Sequence, residues 1–159
     1  MKITVLAVGK IKEKFYTQAV EEYTKRLSRY CRLEIVEVAD EKTPDGAGEA
    51  AVRKIKEKEG ERLLSHIKDG AYVIALAIEG KMRSSEKFSE HLSSLGLYGD
   101  SHLAFVIGGS LGLSEAVLDR ANEHLSFSNM TFPHQLMRVI LLEQLYRSFK
   151  IQAGEPYHK

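Results

Sequence analysis

One cysteine, six scattered histidines and no long apolar run set the first limits on this 159-residue chain. A lone Cys31 excludes an internal disulfide and fits a reducing compartment, so a cytoplasmic location is expected. No stretch approaches the roughly 20 apolar residues needed to cross a bilayer, so no membrane partner is expected. The opening Met1–Lys10 reads as a first strand rather than a targeting segment. His66, His91, His102, His124, His134 and His158 form no His-x-x-x-His pair and no cysteine pair exists, so no metal is expected. Neither a Walker lysine motif, nor G-x-G-x-x-G, nor a Gly-x-Ser-x-Gly nucleophile turn occurs. Cys31 lies near Arg29 and Arg32, but no histidine stands beside it in sequence, and it reads as structural. These absences leave little room for hydrolysis or covalent catalysis.

The charge balance is equally sparing. A formal net charge of +1 points to no particular partner. Residues 1–32 nevertheless hold eight Lys/Arg against three Glu. That basic end fits either a nucleic-acid surface or a solvated helix face.

What is present is an alternation of short apolar runs and helical patterns. Strands are expected at Lys2–Val8, Leu33–Val38, Ala71–Ile78, Leu103–Ile107 and Leu125–Phe127. Helices are expected over Ile11–Tyr30, with Phe15, Ala19, Val20, Tyr23 and Leu27 inward, and over Glu49–Ile67. A third begins at a cap supplied by Ser84 or Ser85, a short fourth follows Ser114, and a long fifth runs from Pro133 to about Ile151. Asp40–Gly48 reads as a loop and Glu79-Gly80-Lys81 as a turn. The fold class is α/β, a single domain over 1–159 with a mostly parallel sheet and helices on both faces.

Two segments locate the site. Phe105-Val106-Ile107-Gly108-Gly109-Ser110-Leu111-Gly112 and Leu125-Ser126-Phe127-Ser128-Asn129-Met130-Thr131-Phe132-Pro133 each pass from a buried strand into small or polar residues and then a helix. Carboxyl ends of parallel strands are where α/β sheets bind ligands, and glycine lets a ligand approach the backbone. A pocket in the C-terminal third, apolar and rich in backbone donors, suits a cofactor that carries its own reactive group. Valine at Gly108 should then block the ligand and leave the fold largely intact. The last helix carries Leu136, Met137, Val139, Ile140, Leu141, Leu142, Leu145, Tyr146 and Phe149. That is wider than one core-facing stripe and predicts a homodimer interface, with Leu141 or Leu145 facing the partner.

The chain resembles, from end to end, the SPOUT-class methyltransferases that modify N3 of a pseudouridine in 23S ribosomal RNA of the large subunit. The resemblance rests on Met1-Lys2-Ile3, Ala75–Gly80, Phe105–Leu113, Leu125–Ser128, Phe132-Pro133-His134-Gln135-Leu136 with Arg138, Glu143–Arg147 and the closing Pro156-Tyr157-His158-Lys159. It implies a C-terminal trefoil knot in the α/β fold, a homodimer, and S-adenosyl-L-methionine held by Leu76, Gly108, Phe127, Ser128, Asn129, Met130, Thr131 and Phe132. It also points to the assembled ribosome as substrate.

N3 of a uracil-type ring bears a proton and is a poor nucleophile until that proton leaves. His158, with Tyr157 beside it, is the expected positioning or proton-transfer group. Arg147 or Arg138 would stabilise phosphate or an anionic base, and Lys10 and Lys12 would add to an RNA-facing surface. An RNA-binding module without catalysis and a small-molecule methyltransferase remain the alternatives.

Overall fold

The computed structural model describes residues 1–159. Five strands and five helices alternate: β1 (Lys2–Val8), α1 (Lys14–Leu27), β2 (Arg32–Val38), α2 (Glu49–Leu64), β3 (Tyr72–Met82), α3 (Ser85–Leu97), β4 (His102–Ile107), α4 (Glu115–Arg120), β5 (Glu123–Ser126) and α5 (His134–Ala153). The strands form one sheet in the order β2-β1-β4-β3-β5, and every pairing is parallel.

Side-chain alternation along β1 divides the core. Ile3, Val5 and Ala7 join Leu103, Phe105 and Ile107 of β4 on one face, beneath α1, α3 and α5. Leu6 and Val8 join Ala104 and Val106 on the other, beneath α2 and α4, with Leu63 and Val117. A strand covered on both sides reads as a continuous apolar run, which is why β1 and β4 stand out in the sequence.

Ser84 and Ser114 cap α3 and α4, accepting from the backbone N–H of Lys87 and Val117 at 3.1 and 3.3 Å. Gly154, with φ +67°, ends α5 in the left-handed conformation. In α1, which begins at Lys14, Leu27 is buried, but Phe15 in its first turn, expected inward, is 62% exposed.

Two further expectations are corrected. Glu79-Gly80-Lys81 does not end the third strand. β3 runs to Met82 and pairs with Leu125 twice, through Leu76 and again through Lys81, with an irregularity between. Gly80 permits this crossing: a Cβ there would lie 2.7 Å from the β5 backbone. Leu141 and Leu145 do not face outward; both are fully buried in the chain's own core. Leu136, Val139 and Ile140 are among the partly exposed apolar positions of α5.

Candidate functional site

A cavity of about 790 Å³ opens where β3, β4 and β5 end. Its wall comprises Leu76–Glu79 from β3, Ile107–Leu113 after β4, Ser126–Ser128 and Met130–Phe132 after β5, and His134 and Met137 from α5. Lys56 reaches it from α2. The volume lies within the range of small-molecule sites.

Glycine shapes one side. The turn after β4 closes through the Gly112 N–H donating to the Gly109 carbonyl at 3.1 Å, and Gly112 has φ +92°. A Cβ on Gly108 would stand 2.7 Å from the Gly112 carbonyl carbon. The turn is therefore folded onto itself at Gly108, and valine there breaks the turn as well as the site. The expectation of an intact fold is corrected accordingly. On the opposite side, the Ser126 hydroxyl donates to the Ser128 carbonyl at 3.1 Å and the Met130 N–H donates to the Ser128 hydroxyl at 3.0 Å. These bonds hold the rim that carries Phe127 to Phe132. Of the eight residues expected to hold the methyl donor, seven line the cavity. Asn129, which is exposed, is not among the lining residues.

A second group of side chains closes the sheet end beside the cavity. Arg138 on α5 is 1% exposed. Its guanidinium pairs with Glu37 of β2 and donates to the Gly9 carbonyl at 3.2 Å. Arg138 is thus an internal strut rather than an RNA contact: its partner lies 101 residues away in sequence and only the fold brings the two together. His134, one turn earlier, also lies over Gly9. Burial pushes its imidazole below the ordinary histidine range, the Arg138 charge adds to that, and Asp40 opposes it. Sequence reasoning did not single out His134, Met137 or Lys56; the Phe132-Pro133-His134 run was the available signal.

The chain end is ordered. Tyr157 stands edge-on to Tyr146 at 4.9 Å and beneath the Arg147 guanidinium at 4.8 Å. Arg147 pairs with Glu143 at 2.7 Å and meets His158 Nδ1 at 3.0 Å, while His158 Nε2 lies 2.6 Å from Glu86 of α3. Because an arginine can only donate, His158 Nδ1 accepts, and both ring nitrogens are occupied. Bonding to His158 holds the Glu86 carboxyl below its usual range. Tyr157, His158 and Arg147 are therefore brought together, but none of them lines the cavity of its own chain. Lys10 and Lys12 are exposed on the loop after β1, and the Lys12 N–H donates to Gln135 at 3.4 Å, so this basic loop borders the start of α5. Cys31 donates weakly to the Leu27 carbonyl, and burial pushes its thiol up to about 11, which leaves it inert at neutral pH.

A family model described as "Predicted SPOUT methyltransferase" matches residues 1–158. The chain belongs to the SPOUT methyltransferase family. Two curated members, from Bifidobacterium adolescentis and Clostridium novyi, are each 64% identical over 159 residues, covering 100% of both chains, and both are named Ribosomal RNA large subunit methyltransferase H. Among solved structures, a probable methylase family protein from Haemophilus influenzae Rd KW20 superposes with a TM-score of 0.57 over 99% of this chain and 70% of that one, at 12% identity. That likeness shows that this SPOUT chain shares the fold.

Proposed function

We propose that the protein transfers a methyl group from S-adenosyl-L-methionine to N3 of a pseudouridine in 23S ribosomal RNA, on the assembled ribosome. The observation that carries this reading is the cavity between the Gly108–Gly112 turn and the Ser126–Phe132 rim, in a SPOUT chain whose full-length relatives at 64% identity bear a ribosomal RNA methyltransferase name. The residues fit the cofactor: the wall offers backbone groups at a glycine turn for polar atoms, and Leu76, Phe127 and Phe132 for an adenine ring. When bound, the cofactor supplies a methyl group already activated on a sulfonium.

The chain's part is then to align the acceptor and keep water out. Lys10 and Lys12, at the cavity end of the molecule, neutralise phosphate in this reading. The Tyr157–His158 tail belongs to the acceptor side. As it does not line its own chain's cavity, a second protomer has to bring it there, through the half-exposed Leu136, Val139 and Ile140 of α5. A trefoil knot, with α5 threaded through the loop before it, completes the reading of the fold, and the cytoplasm completes its setting.

Mass spectrometry of ribosomal RNA from cells lacking the protein tests the reaction. One methylated pseudouridine should revert to its unmethylated mass, and an unchanged modification profile would refute the proposal. Purified protein should methylate such ribosomes and leave protein-free ribosomal RNA almost unmodified, because a chain of net charge +1 gains little from phosphates alone. Equal rates on both would refute the ribosome as substrate.

A further inference from the structure

Phe15 gains nothing from the core. It is 62% exposed, and its ring meets only that of Tyr16, at 4.3 Å with the planes tilted by 51°. Neither ring joins the aromatic cluster of Tyr23, Tyr30 and Tyr146. A single exposed phenylalanine is ordinary on a protein surface. This one follows a run of cations. Lys10, Lys12 and Lys14 are all exposed, and none is held in an ion pair. Glu13 is the one carboxylate among residues 10–16.

The same segment starts at the border of the cavity. Gly9 lies against His134, a cavity residue, and the Lys12 N–H donates to Gln135, the next residue of α5, at 3.4 Å. Residues 10–16 therefore lead from that border to the first turn of α1. Free cations beside an exposed ring suit an unpaired nucleotide: the lysines neutralise phosphate and the ring offers a base a face to stack on. A base inside a duplex has both faces covered already. A second copy of the chain fits less well, because an isologous contact centred here would set these lysines against the partner's own.

We propose that Phe15, backed by Tyr16 and flanked by Lys10, Lys12 and Lys14, stacks on an unpaired base of the RNA substrate, on a nucleotide other than the one that is methylated. It rests on the RNA methyl-transfer reading above. Phe15 touches no reacting atom in this arrangement. It acts on capture and positioning of the substrate, and a single-stranded loop is the element it selects.

The chain contains no tryptophan, so Phe15→Trp installs one indole reporter at this surface. At low salt, an unstructured single-stranded RNA should quench its fluorescence saturably. The same RNA annealed to its complement should require about 10-fold more for an equal effect, because it offers no free base face. An equal response to both forms, or none to either, overturns the proposal. In single-turnover transfer to undermethylated ribosomes, Phe15→Ala should raise the ribosome concentration for half-maximal rate about 10-fold, the loss of one stacked base, and Phe15→Tyr should restore it. The maximal rate, and calorimetric affinity for S-adenosyl-L-methionine, should not change. A loss confined to either of these, or no loss at all, overturns the assignment to RNA. Phe15 is exposed, so the variants should unfold at the wild-type denaturant midpoint. Light scattering should also give Phe15→Ala the wild-type mass; a fall to a smaller species would assign the ring to a contact between copies and overturn the proposal. Wild-type protein that transfers no methyl group, while the indole still separates single strand from duplex, refutes the reaction and not the stacking surface.

Discussion

The carboxyl edge of the sheet is built in two ways. Over β3, β4 and β5 the chain leaves it open: a turn folded on Gly108 and a rim tied by Ser126 and Ser128 enclose a cavity. Over β1 and β2 the same edge is filled. Arg138 lies across it, bound to Glu37 and Gly9, and buries a charge to do so. Parallel strands with short apolar runs make both halves. What differs is whether a long side chain from α5 reaches the end of the strands. Gly9 stands at the border, contacted by the strut on one side and by a cavity residue on the other.

The sharpest way to break the contrast is to close the open half. Gly108→Val drives a side chain into the Gly112 backbone, so it should lose S-adenosyl-L-methionine binding in calorimetry and also destabilise the fold by about 3 kcal/mol or more in denaturant. Full stability would mean that the turn can move aside. Opening the closed half comes next. Arg138→Met removes the ion pair and leaves Glu37, itself about one-third exposed, to be hydrated in part, for a loss of about 2–3 kcal/mol. A variant as stable as wild type would show that the strut contributes little to folding. Beside these, Ile140→Asp on the half-exposed side of α5 should leave chain stability within about 1 kcal/mol and shift light-scattering mass from dimer to monomer. A wild-type protein that is monomeric at micromolar concentration refutes the interface.

The smallest effect concerns Glu59, buried beneath the glycine turn with one oxygen accepting from the Glu41 N–H at 3.0 Å and the other unpartnered. Burial lifts its carboxyl above the ordinary range, so folding takes up a proton there. The stability this brings is complete below the ordinary carboxylate range and fades as pH rises through the lifted value. Denaturation across that interval should show a downward slope in wild type that Glu59→Gln removes; parallel slopes would place the titration elsewhere.

The two halves were unequally legible in the sequence. The open half announced itself because its signals are local: glycines after Ile107, small residues after Leu125, a proline before α5. Ser84 and Ser114 were readable as caps for the same reason. The closed half depends on residues a hundred positions apart, and nothing near Arg138 reveals Glu37. Arg138 read as a contact to phosphate or an anionic base, and its neighbour His134 stood in a resemblance motif without a role of its own. The run Glu79-Gly80-Lys81 misled in another way. It has the composition of a turn, yet Gly80 serves as the point where two strands touch backbone to backbone. Asn129 has the right neighbours in sequence, but it is exposed and does not line the cavity.

The strand order carries a consequence for how the protein comes into being. β1 leaves a translating ribosome ahead of the other strands of its sheet, but its inner neighbour is β4, whose matching residues begin at His102. The largest helix over that pair, α5, emerges after all five strands. The nascent chain therefore holds an apolar strand without its central partner until most of its length has been made. Such distant pairings fold slowly, because loop-closure entropy is spent before the contacts form. Productive folding should thus be largely a post-synthetic event, with β1–β2 and α1 waiting as a unit for the second half of the sheet.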